Sequence, residues 1–529
     1  MERYDFVFIG GGHNSLTAAA YLAKAGESVI VLEQRDIIGG ACMTVDGSTL
    51  PGLLPGFKIS THSQSHIWLH LGPVPKDLEL EKYGARWIFP DPAYATVFSD
   101  GSSIVQYKDV DRTAKQIEKF SKRDAKRYRE LYKEYRGLLN MIINSWFSSP
   151  APYSQIFAPL EGTETGKNLV KMMLQSCKDI ANQLFESEQM KVFIMHAATQ
   201  GANPQDVNGT GLMFLLLSLT MADLPWGVPV GGSNMIAQAL KRFIDAHGGK
   251  VICSKLVTKI IVENKKAVGV ELSDGERIGA NKAVVSSAGT QQTVLELIGR
   301  ESFSDSTVYK AEGYRWDINS AILPIVLLKE SLDWKAAEKE PDLNKTAVLI
   351  ACGCDTLEEM QISTNDIKEN RLNRIPFGIT YQPSKVDPSI APGGRHIANF
   401  WFLTCYALDG DVKNWDLRRD EVTDYCIEAW SKYVKNLNKD NILGKYSYTP
   451  YDWKNPHLRM GSMMGGDVTM DQMGIYRPFP GASNYKLEEI EGLYLTGATT
   501  HPCGGVTCAP GYNSVNVIAD DFKVKKWWR

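Results

Sequence analysis

Residues 4–9 (YDFVFI) read as a short buried strand that runs straight into a glycine loop, Gly10-Gly11-Gly12-His13-Asn14-Ser15. Leu16 to Ala25 carries the alanines and leucines of a helix, Gly26 ends it, and Ser28 to Leu32 reads as a second strand closed by Glu33. Strand, loop, helix, strand and terminal acid in this order predict a βαβ dinucleotide-binding unit. Gly10 permits the tight turn. Gly12 lets the backbone approach a pyrophosphate, which sits on the amide groups at the helix start, where His13, Asn14 and Ser15 stand. Glu33, about 20 residues on, is placed to accept hydrogen bonds from a ribose, and its charge would repel a 2′-phosphate. Ser15 replaces the third glycine of G-x-G-x-x-G, a position that serves close helix–strand packing, so a small local adjustment is expected.

With 529 residues, 43% of them hydrophobic, the chain can build two or more domains with substantial cores. A formal charge of -3 supplies no basic field and argues against nucleic acid as a partner. Nine scattered cysteines do not make a disulfide scaffold and suit a reducing, cytoplasmic setting. The nucleotide strand starts almost at Met1, so no signal peptide is expected. The longest apolar run, Gly211 to Ala222, is too short to span a bilayer and reads as a buried helix or the wall of an apolar tunnel. Cys352 and Cys354 have no histidine or cysteine pair at zinc spacing, so no metal is expected.

After Glu33 come Gln34, Arg35 and then Gly39-Gly40-Ala41, where a glycine pair lets the backbone pass close to an extended cofactor. Here the chain resembles the flavoprotein class that includes amine oxidases, glutathione reductase and carotenoid desaturases. Disulfide reductases of that class carry a second cysteine five residues after the first; here Cys42 is followed at that spacing by Gly47, so dithiol chemistry is not expected. Trp226 to Ala239, with the Pro229-Gly231-Gly232 turn, and the strands of Lys250 to Val285 resemble the second nucleotide segment of carotenoid desaturases, in which Val257 takes the adenine-contacting position. Leu493 to Thr496, Gly497-Ala498, His501 to Val506 and the helix entered at Pro510 resemble their C-terminal flavin motif, with Gly497, Ala498, Gly505 and Val506 at the cofactor. Cys503 and Cys508 in this loop are expected as free thiols.

The chain is therefore identified as similar to the carotenoid (phytoene) desaturase-like FAD-dependent oxidoreductases. The resemblance implies an α/β fold: a Rossmann-like FAD-binding domain assembled from residues 1–75, 230–300 and 485–529. A second, α+β substrate domain would follow, with a helical part at 76–229 and a sheet part at 301–484. It places Phe57 to His70 beside the flavin. Ser63 then becomes a cofactor contact, and His62, His66 and His501 become the candidate catalytic proton acceptors. The implied chemistry is loss of a hydride from an allylic C–H of a hydrophobic isoprenoid, either a carotenoid precursor or a smaller terpene, with desaturation or water capture to an alcohol. No second Rossmann loop is visible, so the electron acceptor would be oxygen, a quinone or a carrier protein. Neither 57–70 nor 501–513 contains Asp, Glu or Arg, which favours an uncharged substrate. A flavin amine oxidase, with an aromatic cage, is the alternative reading; a prenyl-binding escort protein without redox activity is the second. The basic stretch Asp109 to Asn144 reads as an exposed helix face with charge pairs. Together with the tail Lys523 to Arg529 (KVKKWWR) it also suits peripheral membrane contact. Assembly into an oligomer is compatible with all of this.

Overall fold

The computed structural model describes residues 1–199, 203–214, 221–453 and 459–528. The first strand (β1, Glu2–Ile9), the helix His13–Lys24 (α1) and the second strand (β2, Val29–Leu32) form the βαβ unit. Alternation along β1 sends its side chains to opposite faces. Phe6 and Phe8 join the core beneath α1, the helix Met235–Ala246 and the last helix Ala509–Asp521. Val7 and Ile9 pack on the other face with Val257, Val284 and Leu493, joined by Tyr4 because the register shifts between Tyr4 and Phe6. With both faces covered, the strand reads as a near-continuous apolar run, as parallel strands do. Phe6 and Phe8 are fully buried, worth about 1.5–3 kcal/mol each.

This first sheet draws on three separated stretches of chain. Its order is Val257–Glu263, Lys266–Leu272, Arg277–Ser286, β1, β2, Lys250–Ile252, with Leu493–Leu495 beside the C-terminal half of Arg277–Ser286. β1 lies parallel to Arg277–Ser286 and to β2, and Leu493–Leu495 runs parallel to them. The second sheet has seven strands in the order Ile442–Tyr448, Asn319–Leu328, His396–Cys405, Gly378–Tyr381, Leu349–Cys352, Tyr94–Val97, Ser103–Gln106. Its pairings are antiparallel except Leu349–Cys352 with Tyr94–Val97. The last two strands come from the span expected to be largely helical. That span holds the helices Val110–Glu118 through Gly211–Phe214, but it also supplies this hairpin edge.

Lys122–Trp146 is a single helix, capped by Ser121, whose side chain accepts from the Asp124 amide. Its basic face is paired: Lys126 and Arg127 with Glu130, Arg123 with Glu186, Arg129 with Asp111, Arg136 with Asp223. In the apolar run, Gly211–Phe214 is helical, and Met213, Phe214, Met221 and Ala222 are buried; residues 215–220 lie outside the described residues. No helix among the described residues is long and apolar enough to cross a membrane. The tail packs against the first helix. Trp527 stacks on Tyr21 at 5.2 Å and Lys24 sits 3.7 Å over the Trp527 ring, while Trp528 is buried and donates to Asn516. Both indoles pack in the groove between α1 and the last helix, Trp528 buried and Trp527 half-buried; Arg529 lies outside the described residues.

Candidate active site

The parallel strands of the first sheet end side by side at Ile9, Leu32, Ser286 and Leu495. In open α/β sheets ligands bind in the crevice outside such ends. A cavity of about 610 Å³ opens there, running from Glu33 and Val257 across the glycine loop to the second sheet. Gly10 has φ +92°, and a Cβ on it would stand 2.6 Å from Ser287 Oγ, so only glycine fits this turn. Gly12 differs. Its backbone is extended (φ −69°, ψ 158°), open to any residue, but no atom lies within 4 Å of where its Cβ would be. The space it leaves faces the start of α1, which has no side-chain cap and no acid in its first turn. His13, Asn14 and Ser15 line the cavity here, and Asn14 Oδ1 and Ser15 Oγ are buried without a protein hydrogen bond. The close packing that a third glycine would have provided is found elsewhere: a Cβ on Gly511 of the last helix would stand 2.2 Å from Asn14 O.

Glu33 is buried. Its Oε2 accepts from the Gly11 amide at 2.7 Å and its Oε1 from the Arg35 amide at 3.0 Å, which fixes the carboxylate at the mouth of the groove. Each oxygen keeps a lone pair for a ribose hydroxyl. Gln34, Arg35, Lys255 and Val257 line this end of the cavity. Glu33→Ala should weaken FAD binding by ~1.5–3 kcal/mol, the range of a charged hydrogen bond, or roughly ten- to a hundredfold in Kd. Flavin released during titration of the apoprotein measures it, and an unchanged Kd would remove Glu33 from the ribose role.

Gly40, Ala41, Ser63, Gly497, Ala498, Gly505 and Val506 all reach the cavity wall. The strands Thr44–Asp46 and Lys58–Ser60 pair, and the Ser63 amide donates to Ala41 O at 3.1 Å, which brings the two loops together. Gly39 stands behind the wall: a Cβ on it would lie 2.3 Å from Cys42 O, and its amide donates to Gly11 O. Cys42 itself is buried, 3.6 Å from His13 Nδ1; burial pushes its thiol up, and all nine cysteines are free.

The three candidate histidines separate. His66 is fully buried away from the cavity. Trp87 Nε1 donates to its Nδ1 at 2.9 Å; since indole only donates, the ring proton is on Nε2, which donates to Ser233 Oγ at 2.9 Å. His501 is likewise withdrawn, its Nε2 donating to Ser145 O at 2.8 Å. His66 thus has both ring nitrogens in tertiary hydrogen bonds, while His501 has one so held and keeps a buried Nδ1 without a partner. His62 alone of the three lines the cavity, with its ring 5.3 Å from that of Trp401 and 5.4 Å from that of Trp453. Burial pushes His62 down to about 4, so it is neutral at physiological pH.

Two parts of the site carry no local sequence signal. The first is a clamp on loop 462–467. Asp317 is buried and accepts from the Ser462 hydroxyl and from the amides of Met463 (2.8 Å), Met464 (3.3 Å) and Gly466 (3.0 Å). Arg477, fully buried, donates to the carbonyls of Met464, Asp467 and Ala498, each at 2.8 Å. One loop thus has its amides held by an acid and its carbonyls by a guanidinium, which presses Met463, Met464 and Gly465 into the cavity beside Ala498. The second is a wall from the second sheet. Tyr381 is paired with Leu349 on one side, and Ile379 with Trp401 on the other, so all four side chains share one face. All four line the cavity.

Residues 16–511 match the flavin containing amine oxidoreductase family. The chain belongs to that family. Within it, one of the subunits of limonene dehydrogenase from Castellaniella defragrans is 28% identical over 550 residues, covering 100% of this chain and 96% of that protein. Pyridine nucleotide-disulfide oxidoreductase domain-containing protein 2 of Rattus norvegicus is 30% identical, with 98% and 94% covered. Phytoene desaturase of Fusarium fujikuroi is 27% identical, with 96% and 88% covered. Among solved structures, putrescine oxidase bound to putrescine superimposes with a TM-score of 0.64 at 13% identity, covering 99% of each chain, which is a likeness of fold. The protein is a flavin amine oxidoreductase-family enzyme of the carotenoid desaturase-like kind, an FAD-dependent oxidoreductase. The residues present fit FAD. Open space beside Gly12, an uncapped helix start and the unpartnered Ser15 hydroxyl suit a pyrophosphate, and Glu33 stands at the ribose distance along the chain.

Proposed function

We propose that the protein removes a hydride from an allylic C–H of a hydrophobic isoprenoid, a carotenoid precursor or smaller terpene. FAD would be held by the glycine loop, Glu33, the 40–41 and 63 loops, Val257 and the 497–506 loop. When bound, FAD accepts the hydride. This chain's part is to orient the substrate: the wall of Leu349, Ile379, Tyr381 and Trp401 presses an apolar body toward the glycine loop, and the clamped loop 462–467 excludes water. We take residues 1–75, 230–300 and 485–529 as the FAD domain and 76–229 with 301–484 as the substrate domain.

One observation carries the substrate reading. Glu33 is the sole carboxylate among the described residues lining the cavity, and two backbone amides already hold it at the nucleotide end. A cationic amine would find no counter-ion along the second-sheet wall, and burying an unpaired ion is costly. The names of the limonene dehydrogenase and phytoene desaturase relatives support the same class. The aromatic rings of Trp401 and Trp453 beside His62 support amine oxidation as the second reading. The test is anaerobic mixing of the yellow holoenzyme with carotenes, monoterpenes, primary amines, NADH and NADPH in separate arms. The flavin should bleach with an isoprenoid. Bleaching by an amine alone would move the protein to the second reading, and bleaching within seconds by a nicotinamide would overturn the expectation of a non-nicotinamide electron partner.

A further inference from the structure

Arg477 carries a charge that the clamp does not need. Its guanidinium is always protonated. It is fully buried and takes part in no ion pair among the described residues; it holds the neutral carbonyls of Met464, Asp467 and Ala498, each at 2.8 Å. Holding carbonyls requires donors rather than charge, and burying an unpaired charge is unfavourable. The acids nearby are engaged with other groups. Asp317 accepts from the Ser462 hydroxyl and from three amides, and Asp467 and Asp471 pair with Arg315.

The place of this charge gives it a use. Met464 and Ala498 line the cavity and Arg477 does not, so the guanidinium stands behind them. The two loops meet there: Met464 O also accepts from the Gly504 amide at 2.8 Å, and Gly465 packs on Ala498 with no room for a Cβ. Met463 packs on the cluster that holds Trp401 and Trp453. Loop 462–467 therefore lies where the second-sheet wall meets the 497–506 loop, at the other end of the cavity from Glu33. FAD with a ribose at Glu33 and its pyrophosphate at the glycine loop presents its reacting ring at this end. Peptide units are planar and trans. With the carbonyls of Met464 and Ala498 turned to the guanidinium, the amides of Gly465 and Thr499 point the opposite way. On the far side of these peptides the guanidinium charge and both peptide dipoles are positive together.

We propose that Arg477 is a positioning residue whose charge, acting through the peptides of Met464 and Ala498, makes the site bind reduced FAD more tightly than oxidised FAD. Accepting a hydride turns FAD into FADH⁻: one proton and two electrons arrive together, and one negative charge is gained. A fixed positive field favours the form that carries this charge, and in a site shielded from water the field is weakly screened. The inference rests on FAD binding and is independent of the isoprenoid reading.

The experiment measures the midpoint potential of the holoenzyme by slow anaerobic reduction beside a dye of known potential, in the wild type, Arg477→Met and Arg477→Lys. The potential relative to free FAD gives the ratio of affinities for reduced and oxidised FAD, and tenfold in that ratio is about 30 mV for a two-electron couple. Arg477→Met should lower the ratio at least tenfold. Arg477→Lys keeps the charge without the planar fork, and its ratio should stay within about threefold of the wild type. If the two variants shift alike, the shape of the clamp acts and the charge does not, which would overturn the inference. An Arg477→Met protein with the wild-type ratio would also overturn it. Should Arg477→Met fail to fold or to keep its flavin, the wild type decides: a ratio of at least ten in favour of reduced FAD supports the inference, and a smaller one overturns it. None of these outcomes bears on the isoprenoid reading, which the substrate panel above decides.

Discussion

A Gly12→Glu variant is expected to fold normally and to purify colourless. The backbone at Gly12 is extended and open to any residue, and no atom lies within 4 Å of the new Cβ, so the fold loses nothing. At a helix N-cap the change is worth a few tenths of a kcal/mol to about 1 kcal/mol. The side chain would instead occupy the space beside the start of α1, and its carboxylate would sit where the pyrophosphate must sit. Steric exclusion and like-charge repulsion in a site shielded from water together should cost ~4 kcal/mol or more, roughly a thousandfold in Kd. Visible flavin absorbance of the purified protein, with circular dichroism as the folding control, measures this. A yellow, normally folded Gly12→Glu protein would show that the cofactor lies elsewhere.

The second large effect is acid instability. Burial pushes His13, His62 and His501 down to about 4, and His66 and His196 down to about 3. An unfolded histidine titrates near 6.5. Above that pH neither state holds the proton, and these residues contribute nothing. Below it the unfolded chain takes up protons that the folded chain refuses, so stability falls as pH falls from about 6.5 toward 4. The slope is about 1.4 kcal/mol per pH unit for each histidine, hence ~2 kcal/mol each at pH 5. Five such residues approach the ~5–15 kcal/mol by which a typical domain is stable. Thermal unfolding should therefore drop steeply below pH 6. A midpoint that holds constant down to pH 5 would contradict the burial of these rings.

The legible parts of the sequence were the local ones. In the βαβ unit, strand, loop, helix and acid lie within about thirty residues, and the backbone of each follows from its neighbours. Gly10, Gly12, Glu33 and the Gly497–Val506 loop accordingly stand on the cavity. The wall was not legible, because Ile379, Tyr381 and Trp401 read as ordinary core strand residues until two strands pair and choose which face they share. His62 and His66 sit four residues apart in the same run of turns. What separates them is Trp87 and Ser233 on one and Trp401 on the other, partners from distant segments. Trp527 and Trp528 carried the composition of a membrane-facing tail, yet their partner is Tyr21, some five hundred residues earlier. Composition records what a side chain can touch, and a contact with Tyr21 across the length of the chain leaves no trace in it.

The assembly of the first sheet from three stretches sets a timetable on biosynthesis. β1 leaves the ribosome first, but its strand neighbour Arg277–Ser286 lies some 270 residues behind it, and Leu493–Leu495 almost 500. At ~5–20 residues per second, about half a minute to a minute and a half separates the first strand from the last. During that interval the glycine loop has no Ser287, Gly497 or Gly505 opposite it, and the apolar faces of β1 and α1 have no lid. The cavity is complete only once the last segment has docked, with Gly497 and Gly505 on its wall and Gly511 against Asn14.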